Sequence, residues 1–275
     1  DLVENIVQQN YSIIISCRNK NIINIIKKIS EKIHVKTIIY NKKYDLQEMK
    51  KFVLKNALDM GVYIDDQGEN AIIIDEKGNV IKDERYKVLK SFVMLKMGKF
   101  KTLVVPIKSS NAMAEIAQMF GVKFITTKID RGEILKAYIN NEKDLSILEV
   151  INEYLLTLDA MATIIFILNL MAIYKIKLSK IIKVLPKYYN HKKQIYCPWN
   201  KKAEVMRKLV EKTKSNVVDI VEGIKIKYKD YWILILPDSS EPLFKIYIES
   251  MSKIESKKIH YHLKEKVEEI LREDN

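Results

Sequence analysis

Cysteine is almost missing from this chain. Cys17 and Cys197 stand far apart in unrelated contexts, which excludes a disulfide framework and fits a reducing, cytoplasmic setting. Glycine is scarce too, at 7 of 275 residues, and no P-loop, G-x-G-x-x-G or G-x-S-x-G motif occurs. The four histidines, His34, His191, His260 and His262, have no Cys or acidic companion at metal-ligand spacing, which argues against a zinc site. The longest apolar stretch, Met161 to Tyr174, is interrupted by Thr163 and Asn169. It falls short of the roughly 20 apolar residues that cross a bilayer, so a buried helix is expected and no membrane partner. Arginine is the last scarcity. Only five of the 48 basic residues are Arg, the side chain favoured for phosphate and base recognition in nucleic acids.

What is present is apolar and lysine-rich. Hydrophobic residues make up 48% of the chain and the formal charge is +13. The lysines are interleaved with Asp and Glu through every segment, which reads as solvated faces and not as a nucleic-acid site. A positive surface still favours phosphorylated ligands. The length suits two or three domains. No low-complexity tract or internal repeat of domain size is visible. The start, Asp1-Leu2-Val3-Glu4, carries no signal pattern and no Met, as expected of a piece of a longer protein.

The first third alternates strand and helix patterns, from Tyr11–Ser16 through Val35–Tyr40 to Gly61–Asp65 and Ala71–Asp75. Asp45 is a plausible helix N-cap, and a turn is expected at Glu76–Asn79. Alternation implies an α/β layer with a largely parallel sheet. A second unit of the same kind is expected from residue 80: a helix over Glu84–Lys96, strands at Thr102–Ile107, Val122–Thr126 and Ile147–Asn152, and helices at Asn111–Phe120, Asp159–Tyr174 and Leu178–Leu185. Pro186–Pro198 reads as a linker. A helix over Ala203–Lys214, three strands (Gly223–Tyr228, Tyr231–Leu236, Leu243–Glu249) and a closing helix, Lys253–Arg272, then make a different, α+β domain.

Three stretches together resemble the phosphohexomutase family (phosphoglucomutase and phosphomannomutase). Gly61-Val-Tyr-Ile-Asp-Asp-Gln-Gly-Glu-Asn-Ala-Ile-Ile-Ile-Asp-Glu-Lys-Gly78 is similar to its metal loop. Val104-Val-Pro-Ile-Lys-Ser-Ser110 and Thr126-Thr-Lys-Ile129 sit where the family has further segments. Ile235-Leu-Pro-Asp-Ser-Ser-Glu-Pro242 occupies the place of its phosphate loop. Within the family, Cys197-Pro-Trp-Asn-Lys-Lys-Ala-Glu-Val-Met-Arg-Lys-Leu209 resembles proteins in which a sugar-1-phosphate nucleotidyltransferase is fused to a mutase-like tail. The resemblance implies two phosphoglucomutase-type α/β/α domains, 1–80 and 81–190, followed by a smaller α+β phosphate-loop domain, 191–275. It implies hexose phosphates, mannose or glucose 1-phosphate, as ligands, and an associated nucleotidyltransferase as partner.

The resemblance also shows what has changed. No counterpart of the family's nucleophilic serine segment precedes residue 11. Asp65 matches the first carboxylate of the metal loop and Glu69 the third, but Gln67 stands at the second and Asn70 replaces an arginine. Asp66 would point another way. Mg²⁺ prefers anionic oxygens in near-octahedral order, so its binding is expected to be weak or absent; a solvated polar turn is the competing reading. The sugar loop has no counterpart in Asn140–Leu158. In the phosphate loop Ser239, Ser240 and Glu241 keep polar character. Leu236 replaces an arginine, and Asp238 adds negative charge where phosphate would sit. A plain structural turn held by Pro237 and Pro242 is the alternative there. Thr127, Lys128 and Arg131 remain candidates for a cleft. The expectation is a mutase-like chain of carbohydrate metabolism with impaired chemistry.

Overall fold

The computed structural model describes residues 4–40, 45–213, 217–219 and 222–272; Asp1-Leu2-Val3 and Lys214, the expected end of a helix, lie outside them. The chain forms two compact units. The first comprises Asp1–Val105, Ala112–Ile125 and Arg131–Pro186, the second Pro106–Asn111, Thr126–Asp130 and Lys187–Asn275.

The first unit opens with a short helix α1 (Glu4–Val7) and then builds a five-stranded sheet in the order β2-β1-β3-β4-β5. Its strands are β1 (Ser12–Ser16), β2 (Lys36–Ile39), β3 (Met60–Ile64), β4 (Ala71–Asp75) and β5 (Val80–Ile81). β1 pairs in parallel with β2 and β3, as βαβ connections through α2 (Lys20–Lys32) and α3 (Leu46–Lys55) require. β3-β4-β5 is an antiparallel meander, so the sheet is mixed, not largely parallel. Each join of the meander is too short for a crossover, and a hairpin is the only way to turn. Asn19 and Asp45 cap α2 and α3 through their side chains.

The rest of this unit is mainly helical: α4 (Asp83–Met97), α5 (Ala112–Phe120), α6 (Arg131–Asn141), α7 (Ile147–Thr157), α8 (Ala160–Tyr174) and α9 (Leu178–Val184), beside the two-stranded pair β6 (Thr102–Pro106) and β7 (Lys123–Thr127). The strand expected over Ile147–Asn152 is instead the start of α7. Ser146 and Glu149 form a reciprocal capping box, and Val150 and Tyr154, one turn apart, are both buried. They pack with Phe100, Val104 and Tyr138 in one apolar cluster. The segment where a sugar loop was sought is thus helix on both sides of a short connection. α6 itself was expected as loop, because Gly132 in its first turn lowers the helical signal at its start. α8 is buried on nearly every side and is capped by Asp159. Among the described residues no single helix is long and apolar enough to cross a membrane.

Arg85 on α4 holds the end of α9. Its guanidinium donates to the carbonyls of Ile182 (2.7 Å) and Leu185 (3.2 Å) and to that of Pro186. Ile182 lies in the last turn of α9 and also accepts the Leu185 N–H at 3.4 Å, while Leu185 and Pro186 follow the helix end. Arg85→Ala should therefore cost about 2–4 kcal/mol, since hydrogen bonds to a charged group contribute roughly 1.5–3 kcal/mol each and are not additive. Arg85→Lys should recover less than half, because one ammonium cannot span three carbonyls. Urea unfolding of the two variants measures both; an alanine variant as stable as the parent would sink this assignment.

The second unit is an antiparallel sheet in the order β8-β12-β11-β10-β9, with α10 (Lys202–Thr213) and α11 (Lys253–Arg272). Its strands are β8 (Tyr189–Tyr196), β9 (Val217–Asp219), β10 (Ile224–Lys227), β11 (Tyr231–Pro237) and β12 (Leu243–Ser250). The expected linker is in fact β8, which pairs with β12 from Tyr189↔Ser250 to Tyr196↔Leu243. Only Ile195 of β8 is buried, so its sequence lacks the apolar alternation of a half-buried strand. It is an edge strand whose lysines discourage further pairing. The core on one face joins Val205 and Leu209 of α10 to Ile226, Ile233, Ile235, Phe244 and Ile246 of the sheet and Leu263, Val267 and Ile270 of α11.

Candidate functional site

Two polar turns carry the residues singled out by the sequence. In the first unit, β3 runs into Asp65 and β4 leaves after Asn70. Asp65 turns the chain with its own carboxylate, which accepts from the N–H of Glu69 (2.9 Å), the N–H of Asn70 (3.1 Å) and the Asn70 side-chain amide (2.8 Å). Burial pushes the Asp65 pKa up, but these hydrogen bonds outweigh it and hold the carboxyl below its usual range. Gly68 supplies the left-handed residue at φ +77°. The next turn repeats the design: Asp75 accepts from the N–H groups of Lys77 (2.9 Å) and Asn79 (2.8 Å) and from the Asn79 amide (2.9 Å), with Gly78 at φ +78°. A side-chain amide closes each turn.

Glu69 is committed elsewhere. The Arg131 guanidinium grips it bidentately at 2.9 and 2.5 Å. The neighbouring Asp66, half-buried, pairs with Arg18 at 3.1 Å. Lys90 of α4 feels the charges of Lys87, Glu69, Arg131 and Asp65, and burial pushes its ammonium pKa down. The turn is therefore surrounded by cations. Asp65 and Glu69 are brought to one turn, as expected, but every carboxylate oxygen of the pair is occupied by an internal donor. Among the described residues no three His, Cys, Asp or Glu side chains stand together as a cation site. A neutral Gln67, a guanidinium on Glu69 and an ammonium nearby do not fit Mg²⁺, which requires several free anionic oxygens.

The second turn, Pro237–Pro242, lies between β11 and β12 in the second unit. The Asp238 side chain is buried, and its Oδ1 accepts from the Ser240 N–H (2.8 Å), the Ser240 hydroxyl (2.8 Å) and the Glu241 N–H (3.0 Å). Its other oxygen meets the Lys245 ammonium. The Lys245 ammonium first, then the Ser240 donors, hold this carboxyl far below the ordinary range. Beneath the turn, Lys202 at the start of α10 donates to the carbonyls of Asp238 (2.6 Å) and Glu241 (2.5 Å), and its ammonium lies 3.7 Å from the centre of the Trp199 ring. The turn thus has the donors of an anion nest, and the anion inside it is its own.

The structure brings Ser240 and Glu241 together around Asp238, and leaves Ser239 and Lys128 exposed. The Lys128 carbonyl accepts the Thr127 hydroxyl at 3.0 Å. Sequence reasoning missed Lys202, Lys245, Lys90 and the closing roles of Asn70 and Asn79. The repeated Asp-x-x-Gly followed by Asn was a readable signal; the lysines were not, since nothing distinguishes Lys202 from its neighbour Lys201 in sequence.

No family profile matches the chain. Individual relatives do. A phosphoglucomutase/phosphomannomutase of Thermococcus kodakarensis is 30% identical over 200 residues, 70% of this chain and 44% of that protein. A phosphoglucosamine mutase of Methanococcus aeolicus is 26% identical over 211 residues, covering 73% of this chain and 46% of the relative. The chain thus spans about half the length of these curated relatives. Among solved structures, a phosphoglucomutase/phosphomannomutase family protein of Burkholderia thailandensis superposes with a TM-score of 0.72 at 14% identity, over 98% of this chain and 63% of that one. The N-acetylphosphoglucosamine mutase of Aspergillus fumigatus, solved with GlcNAc-6P and magnesium, gives 0.63 at 10% identity, over 98% of this chain and 64% of that one. The fold is therefore that of the phosphohexomutases across nearly the whole chain.

Proposed function

We propose, for a chain whose homologues and fold support the phosphohexomutase superfamily, that it serves hexose-phosphate metabolism as a non-catalytic regulatory or structural module. The carrying observation is that both turns matching the family's metal and phosphate loops are closed on the chain's own charged groups. Asp65 is consumed by its own loop and Glu69 by Arg131. Asp238 fills the nest that Ser240 and Glu241 build. A nucleotidyltransferase for sugar 1-phosphates, fused or associated in the cytoplasm, is the proposed partner, and the stretch after Cys197 is what supports it. Of the division into 1–80, 81–190 and 191–275, the last carries the Asp238 turn. Mannose or glucose 1-phosphate is the ligand class to test, within the second unit through Lys128 and the hydroxyls of Ser239 and Ser240, and separately at Arg131 in the first. No step of this reading runs through Mg²⁺.

The test is calorimetric titration with mannose 1-phosphate and glucose 1-phosphate, with and without Mg²⁺, beside a mutase assay. The expected result is no turnover, no Mg²⁺ dependence of any heat and no rise in melting temperature with Mg²⁺. Saturable binding that requires Mg²⁺, with interconversion of the sugar phosphates, would overturn it. A second reading is favoured by one observation, the chain's coverage of only about half of each relative. On that reading the complete protein is an active phosphomutase and this region contributes to its cleft. Turnover by the complete protein that falls on substituting Ser240 or Arg131 would select it.

A further inference from the structure

The second unit holds a pocket away from the turn at Asp238. Leu209 and Thr213 at the end of α10, Ile226 of β10, Ile233 of β11 and Ile259 and Leu263 of α11 line its floor, in a volume of about 250 Å³. Sites for drug-sized ligands usually run from about 300 to 1,000 Å³, so this one suits a molecule of one or two rings. Its floor is apolar and largely buried: Leu209 is 1% exposed, Ile226 1% and Leu263 5%.

Two features of the wall are chemical and not merely greasy. Tyr228 and Tyr231, at the β10–β11 hairpin, stack with centroids 4.5 Å apart and planes 23° from parallel. The hairpin fixes them there, because the Tyr228 N–H donates to the Tyr231 carbonyl at 2.9 Å. They present ring surface at the mouth of an apolar cavity. On the other wall Lys258, His262 and Lys266 follow one another at four-residue spacing on α11, which places them in one row along the helix. The described ion pairs of α11 join Lys264 and Arg272 to Glu268, on a different line. Lys258 and Lys266 of this row therefore bring ammonium groups to the border of the pocket while their stems extend the apolar lining.

We propose that this pocket binds a small planar apolar ring bearing an anionic group, the ring against Tyr228 and Tyr231 and the anion at Lys258 and Lys266. An apolar floor without the row would take any greasy ring. A row without the floor would be an ordinary solvated helix face. Together they select one class of ligand, and the assignment is independent of any hexose-phosphate role.

The probes are 1-naphthyl phosphate, 1-naphthol and inorganic phosphate, titrated calorimetrically into the whole protein. The ring phosphate should bind saturably, naphthol about tenfold more weakly, and phosphate alone not measurably. The Lys258→Gln/Lys266→Gln variant changes only partly or fully exposed side chains. It should lose about tenfold for the ring phosphate and keep its affinity for naphthol. Tyr228→Ala should weaken both ring probes. The proposal is overturned if the double variant binds as the parent does, or if naphthol binds as well as its phosphate. It is equally overturned if glucose 1-phosphate displaces the probe, which would seat it at a sugar-phosphate site instead.

Discussion

Trp232→Ala should remove about 3–5 kcal/mol of stability, more than any other single truncation in the second unit. Large-to-small changes of a buried aromatic fall in that range from lost transfer energy and the residual cavity. Trp232 is 1% exposed and anchors a cluster with Ile107, Leu234 and Leu236. The Lys225 ammonium lies 4.4 Å from its ring centre. Its indole N–H also donates to Glu249 at 2.8 Å, and Glu249 is fully buried. The alanine variant therefore opens a cavity and strips a donor from a buried carboxylate at once. Trp232→Phe separates the two effects: it keeps most of the bulk, and should cost about 1–3 kcal/mol for one lost hydrogen bond to a buried carboxylate oxygen that still accepts the Asn111 N–H at 2.7 Å. Urea denaturation of both variants measures the pair. Equal losses would mean that the hydrogen bond, not the packing, carries the site, and losses under about 1 kcal/mol would refute both parts.

Glu249 adds a pH signature to the same test. Burial raises its pKa above the ordinary glutamate value, against the hydrogen bonds from Ser110, the Asn111 N–H and Trp232 that favour the charged form. With the folded pKa raised, the folded state binds the proton more tightly than the unfolded one. The stabilisation is complete below the unfolded value, about 4.3, and fades as pH rises through the folded pKa. Glu249→Gln should therefore gain on the parent as pH increases from about 4 towards neutrality.

Asp238→Gly should turn a closed loop into an anion site. The parent carboxylate satisfies the N–H groups of Ser240 and Glu241, the Ser240 hydroxyl and the Lys245 ammonium. Removing it takes the shared acceptor away from those donors above the Lys202 ammonium, and the loss of several hydrogen bonds to a charged group is costly. The variant should be less stable in dilute buffer, and phosphate should restore it by mass action, with an affinity at least about tenfold above the parent's. Thermal melts of both proteins across a phosphate series decide it. If phosphate shifts the two melts equally, the carboxylate is not what excludes the anion. The parent has its own acid limb here. The Asp238 carboxyl titrates below the aspartate range, so its contribution is present above about pH 4 and is lost as pH falls towards the folded value.

Much of the architecture was legible because its signals are local. Asp45 and Asp159 cap the helices expected of them, and the two Asp–Gly turns fall where polar residues interrupt the β3-β4-β5 meander. The misreadings have separate causes. Ile147–Asn152 is rich in β-branched residues, yet Ser146 and Glu149 cap a helix there and the cluster around Tyr138 rewards its period. Tyr189–Tyr196 is polar because only one of its faces ever meets a core. At the candidate site, the identity of Asp65, Glu69 and Asp238 could be read in sequence. Their saturation could not, since Arg131 reaches Glu69 from 62 residues away and Lys202 reaches Asp238 from 36.

Lys202 makes the turn at Asp238 observable from outside. A lysine head group held between two carbonyls and an indole face, in a residue only 8% exposed, has no path to an electrophile. Amine acylation of the folded protein should reach its exposed lysines first and Lys202 last. Its labelling rate then becomes a clock for the opening of Pro237–Pro242, readable by peptide mass without a ligand, a metal or an assay.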